Sequence, residues 1–450
     1  MEHAETPSLI EGEVLWDVVD EHLDEAEFAL ESWRRALHSP LYTLDELARG
    51  PEARLFAHVD ALLIHGKSVA GRLLVPELEA PDDPVFERSV AAALVLLAAG
   101  RWDIVWRALS SEVAVVRAAA AEGLVLAGPP EVDKAIASQL DPGCVGPPPG
   151  LRATLLELAF RRGLDLPDLL GALGSIEPGE AAAAAMAARV GDPARYLPAL
   201  EPLLDHPDPC ARDAALITGL CLGSTPTWRH CLALAANPAR PEPLAMLLVA
   251  LLGGPEQHAI LTGHLTRKTH CTAALAALAW TGQAAVVPTL LPWLASGNPA
   301  VARLASFAFA NLTGVSTSER PYASRERAQE EDALPDLEDD DLDADLLPCP
   351  EDDLPLPDVE AIEAHWKRHG GKLDARQRIL AGVPWTLAAC FDQMEHASLY
   401  VRRRLGLWLL VRSGGAARIT GRAWSSALRD QVIRARSLTP RALTRWFGGW

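Results

Sequence analysis

Long apolar runs are the first thing this sequence lacks. The longest, Val90 to Ala99 and Leu244 to Leu252, are ten and nine residues, against the roughly 18 to 20 that a bilayer-crossing helix needs, so an integral helical membrane protein is excluded. The opening residues MEHAETPSL are acidic and carry no hydrophobic signal core, and a cytoplasmic location is expected. Cysteine is scarce and scattered. Cys144, Cys210, Cys221, Cys231, Cys271, Cys349 and Cys390 are seven in number with no CxxC pair, which fits free thiols in a reducing compartment better than a disulfide framework or a zinc site. Lysine is nearly missing, five residues against 36 arginines, and with 32 glycines and 35 prolines this composition points to a GC-rich bacterial genome. GxSxG, P-loop, GxGxxG and HExxH motifs are absent, which leaves the common nucleophile, phosphate-cradle, dinucleotide and zinc-protease chemistries without a foothold.

What is present is a chain of 450 residues, 49% hydrophobic and 22% charged, with a formal net charge of −19. That length suits two or three domains or one extended array. Between residues 85 and 314, Ala- and Leu-rich stretches of 10 to 15 residues alternate with Gly, Pro, Asp and Asn. Strand-like alternation is nearly absent, and an all-α array is expected. A set of glycines closes these stretches: Gly100, Gly128, Gly163, Gly191, Gly223, Gly253, Gly282 and Gly314, spaced 28 to 35 residues apart, as C′ caps of successive helices would be. Arginine stands eleven residues before the glycine in four of the eight cases, at Arg117, Arg152, Arg212 and Arg303. Pairing with turn carboxylates such as Asp208 or Glu112 is the expected role of this column.

The three clearest copies are SEVAVVRAAAAEGLVLAG at 111–128, HPDPCARDAALITGLCLG at 206–223 and SGNPAVARLASFAFANLTG at 296–314. They resemble HEAT repeats. That resemblance implies an α-solenoid of antiparallel helix pairs over 82–314, in which Ala118, Ala119, Gly123, Ala214, Ala215 and Gly219 allow close backbone approach. Eight such units would make a curved body on the order of 70 Å long with a concave face.

The two ends differ from the middle. Residues 1–81 read as an N-terminal helical cap, two long amphipathic helices joined by a loop around Pro40 and Gly50. Residues 326 to 363 hold 17 acids and one base, Arg327, for a net −16. With five prolines in its central stretch, 315–357 is expected to be an acidic linker or loop. Residues 364 to 450 reverse the sign, with 16 bases and four acids for a net +12. The C-terminal region 358–450 is expected to be basic and helical, with helices at VEAIEAHWKRHG and SLYVRRRLGLWLLVRSG, and to extend the stack. Two opposite charge blocks on one tether attract. The acidic residues 326–357 are therefore expected to lie over Arg402, Arg403 and Arg404.

Segments EHLDEAEF, ARLFAHVDALLIHGKSVAG, LTG at 312–314, DLPLPD and HWKRHGG extend the likeness over nearly the full length. Together they resemble an uncharacterised HEAT-repeat family of proteobacteria, including myxobacteria and pseudomonads, with some members encoded near type VI secretion genes. The resemblance implies architecture and carries no chemistry. It makes a non-enzymatic protein-interaction scaffold the leading expectation, with an adaptor or immunity protein of type VI secretion as its sharpest form. The concave face would grip a protein partner, and neither nucleic acid nor membrane is expected as one.

Plain packing accounts for most of the remaining candidate residues. His22 and Glu25 lie three apart on one helix and Asp60 stands between His58 and His65, but the second ExxH set of a di-iron bundle is missing, so neither a metal nor any other cofactor is expected. Among enzymes on HEAT-like scaffolds, deoxyhypusine hydroxylases carry repeated His-Glu dipeptides, of which this chain has none. DNA-glycosylase-like action is opposed by the acidic charge of the first 325 residues, and bilin-lyase-like action rests on fold analogy alone. Most of the 13 tryptophans are expected in the core. Trp446 and Trp450, in the closing RWFGGW, are the candidate partner anchors.

Overall fold

The computed structural model describes residues 14–324 and 350–438, apart from 65, 80, 82–83, 142–146, 165, 167–168, 268–269 and 420, and it is overwhelmingly helical. Helix α1 (Trp16–Ala36) buries Val19, Leu23, Ala26, Leu30 and Trp33, a stripe recurring every three or four residues. Helix α2 (Leu44–Leu47) begins under a capping box: Thr43 Oγ1 accepts from the Glu46 amide while the Glu46 carboxylate accepts from the Thr43 amide. It runs through a π-turn at Ala48–Glu52 into α3 (Ala53–Leu63). Gly50, expected in a loop, is thus helical. Pro51 has no N–H for the helical ladder, and the wider turn accommodates it. The long helix expected over 51–79 breaks instead at Gly66, whose φ is +49°. There α4 (Gly66–Val69) starts, and a second π-turn leads to α5 (Val75–Glu79).

Among the described residues, the middle of the chain is a succession of fifteen short helices. They are α6 (Phe86–Ala98), α7 (Trp102–Ala108), α8 (Ala114–Ala127), α9 (Pro130–Gln139), α10 (Pro149–Arg162), α11 (Leu170–Leu173), α12 (Pro178–Ala188) and α13 (Pro193–Leu200). Then come α14 (Pro209–Cys221), α15 (Thr225–Ala236), α16 (Pro243–Leu252), α17 (Pro255–His264), α18 (Cys271–Leu278), α19 (Val287–Leu294) and α20 (Pro299–Thr313). Proline at the first helical position recurs, because its missing N–H is an orphan there in any case. Asp192, Asp208, Ser224 and Asn298 cap α13, α14, α15 and α20 by accepting from backbone amides. Even-numbered helices pack directly on one another, α6 on α8, α8 on α10, α10 on α12, α12 on α14, and again α16 on α18 and α18 on α20. Odd-numbered helices mainly lie against their even neighbours. Small residues permit this closeness: a Cβ on Gly123 of α8 would stand 2.9 Å from the Ala93 Cβ of α6.

Past α20 the chain turns back. Residues 350–357, the described part of the acidic segment, return to the strand-like bridge Ala323–Pro357, with Ser324 N donating to Leu356 O at 2.8 Å. The two helices expected beyond it are α21 (Val359–His369) and, after a hairpin and α22 (Leu387–His396), α23 (Leu399–Arg412). The hairpin pairs β1 (Ile379–Leu380) with β2 (Val383–Pro384). Its turn uses left-handed Ala381 and Gly382, at φ +48° and +77°, the geometry that matches strand twist. Helix α24 (Ser425–Arg436) closes the described chain. The buried apolar residues form two clusters meeting at α10, and α23 with α24 serves both: Leu399 and Leu428 belong to the first, Val401, Leu405 and Val432 to the second.

Candidate interaction site

The candidate residues lie on the C-terminal region, so its seating decides what they can do. Helix C-termini leave carbonyls without intrahelical partners and carry a partial negative charge. Five of the eight capping glycines, Gly100, Gly163, Gly223, Gly282 and Gly314, have positive φ as expected, and Gly128, Gly191 and Gly253 do not. At Gly282 and Gly314 a second requirement applies. An added Cβ would stand 2.7 Å from Ile379 O at the first and 2.3 Å from Ala381 O at the second. The hairpin sits there because it feeds the row: Ile379 N donates to Gly282 O at 2.8 Å, Ala381 N to Asn311 O at 2.7 Å, and Gly382 N to Leu312 O at 3.0 Å.

Arg378 extends the same capping to two earlier helices. Its guanidinium donates to Ala250 O at the end of α16 (2.8 Å) and to Trp280 O (3.0 Å) and Thr281 O (3.2 Å) just beyond α18, with Trp385 stacked 4.0 Å from its centre. Burial, with Arg412 nearby, pushes it down to about 9, so it remains charged at neutral pH. Further along, Cys221 Sγ at the end of α14 meets Leu410 O, an added Cβ on Gly415 would crowd Arg189 O beyond α12, and Arg418 lies against Gly163 after α10. Trp424 Nε1 donates to Leu126 O at the end of α8 at 3.0 Å. Then Ser425 donates through N (2.7 Å) and Oγ (2.5 Å) to the buried carboxylate of Glu52, which also accepts from Trp33 Nε1 at 3.1 Å. The contacts of residues 378–382, 410–418 and 424–425 therefore run backwards along the carboxyl ends of the even helices, from α20 to the first turns of the molecule, while Leu399 and Tyr400 donate to the carbonyls of Tyr42 and Ser39. Residues 378–425 carry seven arginines against two acids, and of these Arg378 and Arg418 face the row of negative helix ends.

The three candidate arginines have separate positions. Arg402 is 3% exposed, and its guanidinium donates to Met394 O (2.9 Å) and Leu428 O. It is a strut between α22, α23 and α24 and offers a partner no surface, correcting its place among the docking residues; burial lowers it to about 10. Arg403 is exposed and donates to His38. Arg404 is half-buried, with Tyr400 beneath its guanidinium at 4.6 Å. The described part of the acidic segment reaches other groups: Asp352 lies 3.4 Å from Arg303, and Asp353 accepts from Ser39 Oγ at 3.3 Å. Residues 325–349, Trp446 and Trp450, and the cysteines at 144 and 349 lie outside the described residues.

The arginine column obeys a rule the sequence only partly suggested. Arg152 of α10 pairs with Glu180 of α12 at 3.0 Å, and Arg212 of α14 with Glu242 before α16 at 3.3 Å. Each reaches an acid at the start of the next even helix, not its own turn. Asp208 is occupied as an N-cap, and Arg117 donates to the carbonyls of Ser111 and Glu112 at 2.7 and 3.0 Å. For Arg303 of the last even helix, Asp352 stands in the acid's place.

On the N-terminal helices, His22 and His58 share a 3.1 Å Nδ1 to Nδ1 contact, and Glu25 is held by Arg54 at 3.1 Å with His58 Nε2 at 4.0 Å. Among the described residues no group of three or more His, Cys, Asp or Glu is placed to hold a metal ion. Likewise among them, no helix is long and apolar enough to cross a membrane. Comparison of the chain with protein-family models and with curated proteins returns no match.

Proposed function

We propose that the helical array is a HEAT-type solenoid and that the protein is a non-enzymatic scaffold that binds another protein. The order of packing carries this reading: even helices stack on even helices, odd helices flank them, and the Arg152–Glu180 and Arg212–Glu242 pairs repeat one inter-unit contact. Because the even layer is the more closely packed, it lies on the inside of the curve. The chain's own C-terminal region occupies the carboxyl edge of that layer, so a partner is met by the odd-numbered layer and the remaining inner surface. The likeness of the sequence to a family with members encoded near type VI secretion genes gives the sharpest form of the proposal, a cytoplasmic adaptor or immunity protein.

Affinity capture with the full chain as bait, from lysate of a bacterium that encodes it, tests this reading. The expected result is one protein recovered in near-stoichiometric amount and rebinding when both are purified. Recovery of a metal or chromophore with no protein partner overturns it in favour of an enzyme on the same scaffold.

A further inference from the structure

Where the C-terminal region reaches the end of α1, five basic side chains converge and few acids answer them. Arg34 and His38 come from α1 and the turn after it, Arg403 and Arg404 from α23, and Arg422 from the loop before α24. Arg403 donates to the ring of His38, whose Nε2 is 3.4 Å away, and an added Cβ on Gly421, beside Arg422, would stand 3.6 Å from Arg403 Nε. Glu87, Glu122 and Glu31 act on Arg34, and the first two are already engaged. Glu87 holds Arg34, and Glu122, with 5% of its side chain exposed, takes both arms of Arg161 at 2.7 and 3.2 Å and leaves Arg422 at 3.7 Å. Among the described residues, Arg403 bonds to His38 and Arg404 to the Tyr400 hydroxyl, and neither has a carboxylate within ion-pair distance. His38 feels this crowding: desolvation first, then Arg403, Arg422, Arg404 and Arg34 push it down to about 4. It is a neutral acceptor that steers Arg403, not a further cation.

The cluster is open to solvent. Arg403 and His38 are exposed, and 32% of the Arg34 and 42% of the Arg422 side chain is accessible. We infer that Arg34, Arg403, Arg404 and Arg422 form a binding site for a compact anion carrying two or more phosphate groups. Guanidinium forks fit phosphate oxygens bidentately and remain charged throughout the working pH range. A surface patch of one sign of charge concentrates such an ion. A small anion suits the surroundings better than a nucleic acid, because the chain as a whole carries −19 and a long polyanion would extend over acidic surface. The site bridges α1 and α23, so a bound anion ties the returning C-terminal region to the front of the molecule by cancelling repulsion among arginines from both sides.

Titration of the full-length protein with inorganic pyrophosphate, at fixed ionic strength set with chloride, tests the assignment by calorimetry and by thermal unfolding. Saturable binding with a rise in the unfolding temperature is expected, and Arg403→Gln with Arg404→Gln should weaken the affinity at least tenfold. Arg429→Gln, an exposed change outside the cluster, should leave it within twofold. ATP, AMP and tripolyphosphate distinguish the sources of the phosphate: ATP binding like tripolyphosphate and far above AMP supports a chain of phosphates as the recognised group. Equal binding by the double variant, or the same stabilisation from chloride alone, overturns the site. Tighter binding of a DNA duplex than of tripolyphosphate also overturns it, in favour of a nucleic-acid surface.

Discussion

Ala93 and Gly123 bring α6 against α8, and Gly219 lies against Thr227, whereas Arg378, Arg402, Glu52 and Trp424 hold the C-terminal region to the array's edge. The first set is made of small residues and is local, joining positions about 30 residues apart or fewer. Polar atoms do the work in the second set, and the partners stand far off in sequence: Trp424 is 298 positions from Leu126, and Ser425 is 373 from Glu52. The array sums many small contacts between neighbours. By contrast, the returning region depends on a few buried hydrogen bonds, each with a high cost if broken.

Substitution at Arg378 should break the comparison most forcefully. Arg378→Met leaves the carbonyls of Ala250, Trp280 and Thr281 without this donor, and a loss of about 2–4 kcal/mol is expected in urea unfolding. New tryptic cleavage within 359–437 should accompany it. A loss under about 1 kcal/mol would mean that the hairpin alone holds the edge. On the array side, Gly219→Ala places a Cβ 2.5 Å from Thr227 Oγ1 and 2.8 Å from its Cγ2, and about 1–3 kcal/mol should be lost by overpacking. Combining it with Thr227→Ala should return part of that loss, and no recovery would disprove a purely local contact.

The two regions share one titrating residue, His258. Its Nε2–H donates to Ala250 O at 3.1 Å, the carbonyl that Arg378 also uses, and burial followed by Arg378 pushes its pKa down to about 3. Because the unfolded chain takes up this proton near pH 6.5 and the folded one does not, stability falls as pH drops from about 6.5 towards 3. The slope reaches at most about 1.4 kcal/mol per pH unit from this group. His258→Gln should flatten the pH profile of urea stability over that window, and an unchanged slope would place its origin elsewhere. The smallest effect belongs to the exposed pair Arg429–Asp45, which links α24 to α2. Arg429→Ala should cost about 0.2–1 kcal/mol, less at high salt, and a larger, salt-independent loss would show that the surface pair is a true anchor.

The array was legible because its signals are periodic. Glycine spacing, proline at helix starts and Asp or Asn caps all repeat, and the three repeat-like segments end on α8, α14 and α20. The interruption at Gly66 was hidden by an apolar pattern that continues through it. The arginine column was visible, but Arg152 and Arg212 find their acids at the start of the next even helix, whereas Arg117 bonds to carbonyls of its own turn. Least legible was the C-terminal region. Its +12 suggested an acidic partner, and the described contacts show Arg378 facing helix ends, whose charge comes from backbone dipoles and leaves no mark in composition. Arg402, Arg403 and Arg404 are adjacent in sequence, yet α23 gives one to the interior and two to the surface. Only the seating of the helix decides that.

The backward course of residues 378–425 also sets an order in time. During synthesis at roughly 5–20 residues per second, the Leu126 carbonyl waits about 15–60 s for the indole of Trp424 to be made. Until then that carbonyl has no indole to bond, although Arg162 already reaches the neighbouring Leu124 and Gly128 carbonyls from within the array. A chain cut before Trp424 keeps the contacts between neighbouring helices and loses the late bonds that tie residues 424 and 425 to Leu126 and Glu52.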